Sequence, residues 1–258
     1  MVTWFYESLP SAIEILNQSV FRETNYFCDV YRMNLPICSA TWNEIKPLEA
    51  FLQELDEAER LREHAIEICV AGVGGAQTAF HLGKILATGT WNLAIQLGIC
   101  GSFKKELQIG RTVNVVEECF ADLGAEDDET FLDVFQIELL DANKFPFENG
   151  KLLNTTAISL RGLELLPKAK GISVNKIHGN EQSIQQVTAK YHGEVESMEG
   201  AAFFYCCRMS AVPFLQIRTV SNFVERRDKN KWDISLAIKN LNETAKNIID
   251  ELLPDPTY

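Results

Sequence analysis

The stretch that decides the fold is IEICVAGVGGAQTAFHLGKILATGTWNLAIQLGICGS, residues 66–102. IEICVAG and LAIQLG are short, continuous apolar runs that read as buried strands. Between them, Ala76–Ala87 reads as a helix. A strand, a helix and a strand in this spacing make a crossover unit and call for a parallel sheet. Each strand also ends in glycines: Gly72, Gly74 and Gly75 after the first, Gly98 and Gly101 in and after the second. Glycines there let backbone N–H groups approach a ligand closely. The first turn is not a dinucleotide fingerprint, because Gln77 stands where a third small residue is required. A nicotinamide-dependent oxidoreductase is thereby disfavoured.

The same alternation extends outward. LPICSA, TVNVV, ISVNKI and PFLQIRTVS read as further buried strands, and Glu44–Leu61, Met198–Met209 and Ile234–Leu252 as helices. Apolar runs without polar alternation fit strands covered on both faces, so helices are expected on both sides of a mostly parallel sheet. Asp127–Lys151 is less regular and is expected to loop over a sheet edge. Residues 1–32 read as an N-terminal extension, followed by one domain over 33–258. Two readings of the extension stay open: a native start at Met33, or a short helix around Ser11–Val20.

The 258 residues suffice for one large α/β domain. With 24 basic and 36 acidic side chains, the formal net charge is −12. That charge disfavours nucleic acid and anionic membrane surfaces as partners. Seven cysteines, an odd number without metal or redox spacing, suggest a reducing cytoplasm. No apolar run is long enough to span a membrane. The acidic run FADLGAEDDE lacks a calcium-loop pattern, and the four histidines are scattered. No metal and no cofactor are expected.

In open α/β sheets, ligands bind beyond the carboxyl ends of the strands, so the residues there are the candidates. Glu44 follows the first strand. Taken alone it reads first as a helix N-terminal acid, and second as a carboxylate at the site edge that activates water. Glu196 and Glu199, in VESMEGAAFF, are three apart and are expected on one side of a helix. A buried carboxylate there can hold sugar hydroxyls. Ser221 and Asn222 end the last strand, where an amide offers an acceptor and two donors. Taken singly, each has an ordinary structural explanation.

Four of these segments, SATWNEI, AGVGG, GICGSF and SMEGAA with RTVSN, occur in the order found in the purine nucleoside phosphorylase and methylthioadenosine nucleosidase superfamily, which the chain resembles from about Met33 to Leu252. The pairing of MEGAA with RxxSN carries most of the resemblance. FADLGAED and VSNFVERRDKNKWDISLAIKNL are similar to the futalosine hydrolase branch. The resemblance implies a three-layer α/β/α sandwich around a mixed, mostly parallel sheet, a purine nucleoside substrate and a homodimer. It implies that Glu44 activates water, Glu199 holds the ribose 2′-hydroxyl, Met198 lines the sugar, Gly101 lies beside the nucleoside, Ser221 contributes to binding and Asn222 handles purine N7. It further implies hydrolysis of futalosine to hypoxanthine, with another purine nucleosidase or a phosphorylase as the alternative. Two departures stand out. Asn222 replaces the aspartate of methylthioadenosine nucleosidases, which favours a 6-oxopurine leaving group. The stretch between Leu52 and Ile66 is short, a helix running directly into a strand. Arg226, Arg227 and Lys231 are basic candidates for a carboxylate on the 5′-substituent.

Overall fold

The computed structural model describes residues 32–253. The readings of the N-terminal extension lie outside the described residues, apart from Arg32. In chain order the elements are β1 (Asn34–Ser39), α1 (Trp42–Glu57), β2 (Ala65–Val70), α2 (Gly75–Thr88), β3 (Ala94–Ser102), β4 (Thr112–Glu118), β5 (Gly124–Asp127), β6 (Thr130–Asp133), β7 (Leu152–Leu153), α3 (Arg161–Glu164), β8 (Lys168–Ser173), α4 (Glu181–Tyr191), β9 (Val195–Ser197), α5 (Gly200–Met209), β10 (Phe214–Phe223) and α6 (Ile234–Leu252).

β2, β1 and β3 pair in parallel, and β3 pairs in parallel with β10 along its whole length. Antiparallel β10–β4 and β3–β9 pairings and parallel β4–β8 and β8–β9 pairings complete the main path. The sheet is therefore mixed and mostly parallel, as expected. It is also more than an open sheet: β3, β10, β4, β8 and β9 close into a ring. β3 is shared along one side. Its pairing with β1 ends at Gln96, and its pairing with β9 begins at Gly101. Between those points, residues 97–100 of β3 pair with neither.

Side chains alternate between the two faces of the sheet because strand geometry has a period of two. Ile37 enters a core with Ile45, Leu48, Ile217, Leu241 and Ile248, under α1 and α6. Its neighbour Cys38 enters the opposite core with Leu82, Ala201, Phe203 and Phe204, under α2 and α5. Helices thus cover both faces of the sheet.

Several boundaries shift from expectation. The helix expected to run to Leu61 stops at Glu57, where Glu59 takes a positive φ of 61°. The strand placed at ISVNKI lies earlier, at Lys168–Ser173, because its register partners on β4 and β9 end there. The helix expected from Met198 starts at Gly200. Consequently Glu196 and Glu199 do not share a helix face: Glu196 is paired within β9, and Glu199 is the N-cap residue. The segment expected to be irregular begins as a hairpin, β5–β6, outside the main sheet. α4 went unanticipated, although Asn180 caps it through bonds from the Gln182 and Ser183 N–H groups. The short passage from α1 to β2 is as read.

Candidate active site

Glu44 sits in the first turn of α1, only 6% exposed. Oε2 accepts the Thr41 N–H at 2.9 Å and the Thr41 hydroxyl at 2.7 Å, which fastens the helix start. The Ser39 hydroxyl approaches the same oxygen at 3.3 Å. Oε1 accepts the Ile99 N–H at 3.1 Å. That N–H belongs to the stretch of β3 that pairs with neither β1 nor β9, so the carboxylate stands in the gap of the sheet. Glu44 thus caps its helix with one carboxylate oxygen and bonds β3 with the other.

A second carboxylate reaches the same place from the other side. Glu199 is 5% exposed, and its Oε1 accepts the Gly74 N–H at 3.0 Å. Gly74 has φ +92°, a conformation that side chains other than glycine's strongly disfavour. Between the acids lies Arg218, on β10, 2% exposed. Its Nη1 is 3.5 Å from Glu199 Oε2 and 3.3 Å from the Ile99 carbonyl. Nε and Nη2 are buried and make no hydrogen bond within the protein. A Cβ on Gly98 would lie 2.2 Å from Arg218 Nη1 and 3.4 Å from Glu44 Oε1, so this glycine makes room for the cluster.

A third acid, Glu118, is 1% exposed behind the cluster. Its Oε2 accepts the Ser173 hydroxyl at 3.0 Å. Burial pushes its pKa up to about 7, against the lowering effects of Arg218, Ser173 and Gln216. A Cβ on Gly200 would fall 1.8 Å from Glu118 Oε1, which gives the glycine of MEGAA a packing reason. Sequence reasoning assigned no role to Arg218 or Glu118. An arginine inside the apolar strand LQIRTV was the available signal, since charged residues are almost never fully buried unless paired.

Asn222 and Ser221 owe their placement to an irregularity. Val220 registers with Cys100, but Asn222 with Gly101, so Ser221 is the extra residue of a β-bulge. Bulges redirect side chains next to active sites. The Ser221 hydroxyl lies 2.8 Å from Asn222 Oδ1 and 3.1 Å from the Cys100 carbonyl, and donates to one at a time. Asn222 Nδ2 donates to the Phe223 carbonyl at 3.0 Å. One amide N–H and further acceptor capacity on Oδ1 are left for a ligand.

Gly101 and Asn222 line a cavity of about 40 Å³ with Ile177, His178, Glu196 and Trp232 among its walls. Glu44 bonds β3 at Ile99 and Asn222 registers at Gly101, two residues along one strand, about 7 Å. Met198 lies half-buried between β9 and α5. Of the basic candidates, Arg227 lines the same cavity and stacks 5.0 Å from the Trp232 ring centre. Lys231 is tied to Glu225 at 2.7 Å, and with Arg226 it lines a separate cavity.

Residues 59–254 match the model of the phosphorylase superfamily. The chain belongs to that superfamily. All the site residues described above except Glu44 and its partners Ser39 and Thr41 fall within the matched span. Among curated superfamily members, the chain is 32% identical over 178 residues to a futalosine hydrolase of Acidothermus cellulolyticus, covering 68% of this chain and 71% of the relative. To a futalosine hydrolase of Thermus thermophilus it is 27% identical over 183 residues, covering 70% and 79%. The solved structure of futalosine hydrolase from Helicobacter pylori superposes with a TM-score of 0.68 at 16% identity, covering 85% of this chain and 98% of that one. A 5′-methylthioadenosine/S-adenosylhomocysteine nucleosidase from the same organism gives 0.65 at 15% identity, covering 86% and 99%. The structural likenesses establish the superfamily's fold.

Proposed function

We propose that this chain hydrolyses the N-glycosidic bond of futalosine, releasing hypoxanthine and leaving dehypoxanthinyl futalosine, a reaction of menaquinone biosynthesis. The curated relatives support the substrate, since those reported above are futalosine hydrolases. The observation that carries the choice of water over phosphate is the charge of the site. Glu44 and Glu199 flank a single Arg218, and Glu118 lies behind them. Phosphate binding needs surplus positive charge, whereas here the one guanidinium is already beside carboxylates.

Cleaving the bond builds positive charge on the ribose and negative charge on the purine. Glu44 takes a proton from the attacking water, and Glu199 holds the sugar hydroxyl and favours the developing cation. Asn222 offers its oxygen to a protonated N7 and its free N–H to the 6-oxo group. Gly101 provides the floor, while Met198 and Ser221 complete the sugar and base walls. A purine nucleoside is thus the small-molecule partner.

Two further features belong to this reading. The described cysteines are free thiols, which supports a reducing cytoplasm. Among the described residues no helix is long and apolar enough to cross a membrane. A homodimer is expected, and the exposed Val70, Val73 and Phe80, close to the glycine turn, are suited to an interface.

The test is base release followed by chromatography, with futalosine, inosine and methylthioadenosine, each with and without phosphate. Hypoxanthine from futalosine in the absence of phosphate is the expected result. A requirement for phosphate would overturn hydrolysis. Adenine from methylthioadenosine would move the substrate to the general nucleosidases.

A further inference from the structure

One pair of titratable side chains at this end of the sheet has no part in the steps above. His178, on the loop between β8 and α4, meets Glu196, on β9. Glu196 is 4% exposed; its Oε1 accepts the His178 backbone N–H at 3.0 Å, and its Oε2 is bonded to His178 Nδ1. The backbone bond fixes the carboxylate, and the carboxylate fixes the ring.

The position of the pair follows from strand register. Glu196 pairs with Gly101 from β9, and Asn222 pairs with Gly101 from β10. The three residues form one row across three strands. Adjacent strands lie about 4.8 Å apart, so Glu196 and Asn222 stand on opposite sides of a floor without a side chain. His178, Glu196, Asn222 and Gly101 line the same cavity. A flat base lying on Gly101 with N7 and its 6-substituent towards Asn222 leaves N1, the next position round the ring, for an acceptor in the same cavity.

We infer that His178, oriented by Glu196, selects a 6-oxopurine by accepting the hydrogen on N1 of the base. This rests on the proposed function and assigns its base specificity to a second pair of residues. The chemistry lies in the tautomer. A carboxylate accepts only, so the neutral ring keeps its proton on Nδ1 and presents a lone pair at Nε2. A 6-oxopurine has a hydrogen at N1 and makes the bond. A 6-aminopurine has a lone pair there and leaves two acceptors facing each other.

The experiment is inhibition of futalosine cleavage by free hypoxanthine, 1-methylhypoxanthine and adenine, for the wild type, Glu196→Gln and His178→Phe. The wild type should prefer hypoxanthine to both others by about tenfold or more, the scale of one hydrogen bond to a ligand. In Glu196→Gln the amide oxygen still accepts the His178 N–H, so the amide N–H₂ faces Nδ1 and the ring proton moves to Nε2. Preference should then invert towards adenine. His178→Phe should abolish both preferences. A wild type indifferent to N1 methylation, or a Glu196→Gln variant that weakens every base equally, would overturn the inference. If Glu196→Gln does not fold, the wild-type comparison and His178→Phe decide it. If the wild type fails to cleave futalosine, the proposed function fails instead. Calorimetric binding of the same three bases then judges the pair separately.

Discussion

Glu44 anchors the start of α1 and faces the gap in the sheet, so its replacement tests two roles at once. Glu44→Gln keeps the shape, and its oxygen can still take one of the N–H bonds, but the amide cannot accept a proton from water. We expect kcat to fall by about 10² to 10⁴, the usual worth of a general base, with a smaller change in KM. Initial rates of hypoxanthine release would show it; a variant with near wild-type kcat would remove Glu44 from the chemistry. Asn222 carries the base-side prediction. Asn222→Asp should shift the ratio of kcat/KM towards 6-aminopurine nucleosides, because a protonated aspartate donates to N7 and accepts from a 6-amino group. Unchanged selectivity would leave base choice to other residues. Neither site was legible residue by residue, since a helix N-terminal acid and a strand-end asparagine are common. The order of four motifs along the chain raised them above that background.

At the scale of elements, β3 and β4 carry the polar centre through positions where space is tight. Gly98→Ala on β3 would place a methyl group 2.2 Å from Arg218 Nη1. The backbone is held by its pairing with β10, so the guanidinium must move. Overpacking of this kind costs about 1–3 kcal/mol, and it should remove most activity as well. Urea unfolding alongside a rate assay would separate the two effects, and a fully active, fully stable variant would contradict the geometry. Glu118 on β4 predicts a pH effect. Burial raises its folded value from 4.5 to about 7, so the folded state holds a proton that the unfolded chain releases. Its contribution to stability is complete below about 4.5 and is lost as pH rises through 7. Glu118→Gln should therefore gain stability relative to wild type between pH 5 and pH 8. Equal differences at both pH values would show that Glu118 does not titrate in that window. The sequence marked β4 as a buried strand, yet the burial of Glu118 arises from α5 and β8 packing against it, which no local pattern records.

For the whole molecule, the surface near the glycine turn is the informative part. Phe80 is 68% exposed on α2, and Val73 is exposed on the turn before it. Exposed apolar side chains on this turn and on the helix that follows it are suited to a subunit contact. Phe80→Glu should convert a dimer to a monomer, measured by light scattering on a sizing column. A wild type that already runs as a monomer would refute the homodimer. At this scale the sequence alone determined the α/β class, the layering and the strand ends where the candidate site lies. Those features follow from the period of apolar residues and from glycines at strand termini, which are local properties of the chain. It also placed Glu44, Glu199 and Asn222 among the candidates. Only the tertiary structure decided that β9 joins β3 to close the sheet, that Arg218 lies between Glu44 and Glu199, and that His178 meets Glu196 beside Gly101. Those arrangements join residues far apart in the chain, and their register is set by packing and strand pairing, which no window of sequence contains.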